Sequence, residues 1–72
     1  MVTAKLDTGV SRCCFKSASD AALLKDKAEP QLVYALRDAG YMGAVRFEGP
    51  WEERIPEKNE TVWFYQALAE RA

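Results

Sequence analysis

A chain of 72 residues is long enough for one small domain and too short for two, and a domain of that size buries only a modest core. With 49% apolar and 29% charged residues the composition is globular and excludes a disordered chain. The net charge of −1 gives no bulk bias towards a polyanionic or polycationic partner, and the lack of histidine excludes a His-ligated zinc or iron site within one chain.

At the N-terminus Val2, Ala4 and Leu6 alternate with Thr3, Lys5 and Asp7, which suits a short strand and does not form the apolar core of a signal peptide. Asp7-Thr8-Gly9 is turn chemistry, and residues 10–16 alternate again, so a hairpin over residues 2–16 is expected. Cys13 and Cys14 are adjacent, so in a strand their side chains point to opposite faces and a bond between them would be strained. Two free thiols fit a reducing, cytoplasmic setting better than a secreted disulfide framework.

Ser17 or Ser19 can cap a helix, with Asp20 at its positive N-terminal end. Ala21, Leu24 and Ala28 recur at helical spacing, and Leu32, Leu36 and Ala39 continue the stripe in phase beyond Pro30. An interior proline costs about 3 kcal/mol, so two helices near residues 17–28 and 30–39 are preferred to one kinked helix, with Pro30 opening the second. Gly40 supplies the helix stop and Gly43 a second bend. Val45 and Phe47 then alternate with Arg46 and Glu48 at strand period.

Residues 49–60 read as a long acidic connector whose two prolines and dense charge argue against a central strand, leaving at most a short edge segment over 51–55. Residues 61–67 combine Thr, Val, Trp, Phe and Tyr, a strand composition, while the following QALAERA favours helix. The strand is preferred because it pairs antiparallel with residues 44–48. No run approaches membrane-spanning length.

The segments ALRDAGY, GAVRFEG and VWFYQALAER, separated by a variable loop, resemble certain small bacterial and phage families of unknown function with a βαββ layout. The resemblance spans residues 10–70, and the acidic loop departs from it. It implies a fold and carries no activity.

The expected architecture is a single α+β domain over residues 1–72: a small three- or four-stranded antiparallel sheet with one or two helices packed on one face. Placing Cys13, Phe15, Val45, Phe47, Val62, Phe64 and Leu68 against the helix leaves Gln66 as the exception. It also puts Arg12, Cys14, Lys16, Arg46, Glu48, Trp63 and Tyr65 on the opposite face. Basic residues beside aromatic rings suit either a protein interface or a nucleic-acid platform, and the bland alternative is a face closed by another part of the chain or by a second copy. Trp51 with Glu52, Glu53 and Glu57 forms a second candidate patch, an aromatic anchor with an acidic rim for a basic partner surface. Its bland alternative is a solvated loop.

No histidine base, glycine-rich phosphate loop or paired carboxylates at a helix face are present, and nothing in the sequence activates Cys13 or Cys14, so no enzyme activity and no cofactor or metal is expected. The favoured reading is a small interaction protein with a protein partner. By analogy of type it is a phage or mobile-element inhibitor (anti-CRISPR-like) of a larger macromolecular complex. A nucleic-acid-binding module on the open sheet is the second class, and a homodimeric structural protein the third.

Overall fold

The computed structural model describes residues 7–71; the first strand of the expected 2–16 hairpin lies outside them. The order is β1 (Thr8–Phe15), α1 (Ala18–Asp38), β2 (Val45–Ile55) and β3 (Glu60–Glu70). The strands form one antiparallel sheet in the order β1-β3-β2, and α1 covers one face of it. The α+β expectation therefore holds, with three strands and one helix among the described residues. The Asp7-Thr8-Gly9 segment is no turn within the described residues, because Thr8 and Gly9 already pair with Glu70 and Ala69.

The helix is continuous through Pro30, which corrects the expected break. Pro30 lies on the exposed side, whereas Ala21, Leu32 and Leu36 on either side of it are buried along one stripe. Each buried leucine contributes about 1.5–3 kcal/mol of burial, enough to offset the proline's lost hydrogen bond. Ser17 caps the start, its side chain accepting from the Asp20 N–H at 3.0 Å. At the other end Gly40, at φ +96°, takes the left-handed conformation that other residues resist. The Tyr41 N–H then donates to the Leu36 carbonyl at 2.9 Å and the Gly40 N–H to the Arg37 carbonyl at 3.0 Å, a Schellman stop. Arg37 ties the following loop down by donating to the carbonyls of Tyr41 and Gly43 at 2.8 and 2.7 Å.

The core is Leu32 and Leu36 packed on Tyr65, Ala67 and Ala69, with Cys13, Phe15, Tyr41 and Val45 at its margin. Small alanines in the central strand let the helix approach the sheet closely. Cys13, Phe15 and Val45 lie on the helix side as expected, and so does Phe47, whose ring stacks on Tyr65 at 5.8 Å. The side assigned to β3 was reversed, however. Tyr65 stands opposite Cys13, and Trp63 opposite Phe15, so both aromatic residues face the helix while Val62, Phe64, Gln66 and Leu68 face away.

The acidic connector is mostly strand. β2 runs to Ile55, and only residues 56–59 turn before β3 begins. β2 is an edge strand, which is where a strand tolerates Pro50. The Gly49–Pro50 peptide is cis.

Candidate interaction face

The sheet face away from α1 carries a cross-strand row that runs through all three strands. Arg12 and Glu48 each stand in register with Gln66 of the central strand. Arg12 donates through Nε and NH2 to Gln66 Oε1 at 3.1 and 3.0 Å, and Gln66 Nε2 donates to Glu48 Oε1 at 2.8 Å. The apparent exception in the sequence is thus the centre of a polar ladder. Its amide is satisfied at both ends although the residue is only 9% exposed.

The next row holds Cys14, Phe64 and Trp51. The two rings lie 5.8 Å apart with a 37° tilt, and the Arg12 guanidinium sits 5.5 Å from each ring centre. This is cation–π distance, and it fixes an otherwise mobile arginine over apolar surface. Trp51 Nε1 donates to Glu53 Oε2 at 2.6 Å. Arg46 lies beside the row, its Nε 3.8 Å from a Glu48 oxygen.

A β-bulge creates this grouping. Glu48 pairs with Gln66 and Trp51 with Phe64, so Gly49 and Pro50 together oppose the single residue Tyr65. The extra residue switches the side-chain parity of β2. Before the bulge, even-numbered residues face away from the helix; after it, Trp51 and Glu53 do. Gly49 is required there twice over. Its φ is +106°, and a Cβ would come within 2.7 Å of the Phe64 carbonyl oxygen and 2.9 Å of the Trp51 ring.

The nine residues expected to bind a partner are therefore divided. Arg12, Arg46, Trp51 and Glu53 share the open face. Glu52 is on the helix side of β2, opposite Trp63, and Trp63 and Tyr65 are on the same side of β3. Tyr65 is 4% exposed and donates its hydroxyl to Glu29 of the helix, so it belongs to the core and not to a binding platform. Burial, and then the Glu29 carboxylate, push its phenol up to about 12. Glu57 sits in the hairpin turn, and Lys16 follows the end of β1. Phe64 and Gln66 were missed as site residues. The signal for both was the lone amide in an otherwise apolar strand, which marked the face that is not core.

Among the described residues no three His, Cys, Asp or Glu side chains lie together as metal ligands, no cavity is found, and no helix is long and apolar enough to cross a membrane. The fold and face define a small α+β domain with one sheet face that α1 does not cover. Comparison with protein-family models, with curated proteins and with solved structures finds no match.

Proposed function

We propose that this is a non-enzymatic interaction protein that docks a protein partner on the open face of its sheet. The observation that supports this is the Arg12–Trp51–Phe64 group. Tryptophan and arginine are the residue types that dominate interface energies, and here they stand together on a face that α1 does not cover. Arg46, Glu48 and Glu53 form a charged rim around it. A narrower form of the reading, an anti-CRISPR-like inhibitor of a larger complex carried by a phage or mobile element, rests on size and residue inventory, by analogy of type. The two free thiols support a reducing, cytoplasmic setting.

The nucleic-acid reading ranks second, because the face is short of cations for phosphate. Arg12 is engaged by Gln66 and the two rings, and Arg46 by Glu48. Glu48, Glu53, Glu60 and Glu70 share the face and oppose a phosphate backbone.

The test is affinity capture from a candidate host lysate, with and without nuclease, using the parent, Trp51→Ala and Tyr34→Ala. Tyr34, 74% exposed on the outer side of the helix, serves as the control surface. A nuclease-resistant partner lost with Trp51→Ala and kept with Tyr34→Ala is the expected result. Capture that disappears with nuclease selects the second reading, and capture retained by Trp51→Ala removes the open face from the proposal.

A further inference from the structure

The two edges of the sheet are built differently. The β2 edge carries devices that prevent a strand from pairing further: Pro50 without an N–H, a bulge at Glu48/Trp51, and the charged side chains of Arg46, Glu48, Glu52, Glu53 and Arg54. β1 has none of them. It pairs with β3 without a register shift from Thr8 to Phe15, contains no proline, and has one charged residue, Arg12. That side chain leans inward over β3 and does not guard the edge.

The hydrogen-bond phase of β1 is set by the Arg71 N–H, which donates to the Asp7 carbonyl at 3.1 Å. Antiparallel pairs alternate between bonded and non-bonded, so the odd-numbered residues of β1 bond to β3. The N–H and C=O groups of Thr8, Val10, Arg12 and Cys14 then point outward, and among the described residues nothing pairs with them. Val10, 53% exposed, stands on this edge.

We propose that this edge is a homodimer interface: two copies pair β1 with β1, antiparallel about a two-fold axis at Ser11, into one continuous six-stranded sheet. Three arguments select a second copy, and they are independent of what the open face binds. First, a two-fold antiparallel pair must be centred on a residue if outward groups are to meet outward groups. A centre at Arg12 pairs only Val10, Arg12 and Cys14 of the outward residues within β1 and leaves Thr8 opposite Lys16, beyond the strand end. A centre at Ser11 sets Val10 opposite Arg12, Thr8 opposite Cys14 and Gly9 opposite Cys13, with no like charges. Centres at Val10 or Cys13 shorten the paired stretch of β1.

Second, α1 is offset on the sheet: it lies over β1 and β3 and only grazes β2. With strands ~4.8 Å apart, two helices each seated over a β1–β3 junction come to lie ~10 Å apart across the axis, about the distance at which helices pack. Third, the helix flank available for that contact is small and weakly polar. Glu29 bonds to Tyr65, and Arg37 bonds to the loop leading into β2, so that flank faces β2. The opposite flank, bearing Leu24, Ala28, Gln31 and Ala35 at helical spacing, is turned past β1.

The test joins solution mass to cross-linking. Sedimentation of the parent is expected to give twice the chain mass. Val10→Pro removes an outward N–H at a position where an edge strand tolerates proline, and is expected to give the single-chain mass with an unchanged far-UV circular dichroism spectrum. Should that variant lose its fold, Val10→Lys makes the same test by adding an edge charge opposite Arg12. Ser11→Cys combined with Cys13→Ser and Cys14→Ser is expected to form a disulfide dimer on mild oxidation, and Thr61→Cys in the same background is not. A parent that is monomeric at all concentrations overturns the proposal, and so does a dimer that persists in both Val10 variants. A monomeric parent that dimerises once residues 1–6 are deleted also overturns it, by assigning the edge to the chain's own N-terminal segment.

Discussion

Gln66 is buried, yet each of its side-chain ends meets a charged partner, and this is what orders Arg12 and Glu48 on the open face. Its neighbour in the chain, Tyr65, lies on the other side of the sheet in the core, and that difference of one position has consequences for titration. Because burial and Glu29 hold the Tyr65 phenol at about 12 in the folded chain, against 10 for the ordinary group, the unfolded chain releases this proton first. The stabilisation is complete below pH 10 and is lost as pH rises from 10 towards 12. The melting temperature of the parent should therefore fall across that window, while Tyr65→Phe, which cannot ionise there, should show a distinctly smaller fall. An equal fall in both would remove Tyr65 as the cause. The cysteines are divided in the same manner. Cys14 is exposed on the open face, while Cys13 is half-buried beside the core, where burial and then the neighbouring thiol raise its pKa. Thiol reagents should modify Cys14 much faster than Cys13 in the native protein, and mass mapping at short times would reveal the order.

At the level of elements, the helix stop, the central apolar stripe and the strand character of residues 61–65 were legible, because each rests on local chemistry: Gly40, the spacing of Leu32 and Leu36, the β-branched and aromatic run. The antiparallel partner of residues 45–48 is the last strand as expected, but through its 66–69 end, whose composition favours helix, while residues 61–64 pair with 51–54 of the expected connector. Two features were not legible. Continuity of α1 through Pro30 depends on burial on both sides of the proline, which a local cost of about 3 kcal/mol does not reveal. The side assignment of Trp51 depends on a bulge, and an alternation rule carried through residues 45–55 fails at the extra residue. The placing of Trp63 and Tyr65 on the wrong face has a separate cause, since β3 runs without a register shift against β1: aromatic residues fit either side of a sheet, and the alanines of β3 were not read as core. In the helix, Pro30 is an exposed interior residue whose ring removes one backbone bond. Replacing it with alanine should stabilise the chain by about 1–3 kcal/mol. In a domain of this size each kcal/mol moves the melting temperature by about 4–8 °C, so thermal denaturation resolves the effect readily. A Pro30→Ala variant that melts no later than the parent would show that the proline costs nothing where it stands.

For the whole molecule, the near-zero net charge conceals a division between faces that the linear sequence does not display. The sequence groups Glu52 and Glu53 with Trp51 in one acidic patch, but the bulge sends Trp51 and Glu53 to the open face and Glu52 to the helix side, opposite Trp63. The two carboxylates are chain neighbours of the same charge, and they differ chiefly in the face they charge. Their neutral analogues are therefore a direct probe of which face meets a partner. Glu53→Gln removes the charge and keeps an oxygen that can accept from Trp51 Nε1, so the ring's hydrogen bond is preserved. Glu52→Gln removes the same charge from the other side of the strand. Rim charges act mainly on the rate of association, and salt screens them over a Debye length of about 8 Å at physiological ionic strength. With the partner obtained by capture immobilised and association followed by surface plasmon resonance, Glu53→Gln should change the on-rate several-fold at low salt and by little at high salt. Glu52→Gln should leave the on-rate near that of the parent at both. Equal responses from the two variants would mean that the partner feels only the total charge of the hairpin, and a larger response from Glu52→Gln would move the docking surface to the helix side.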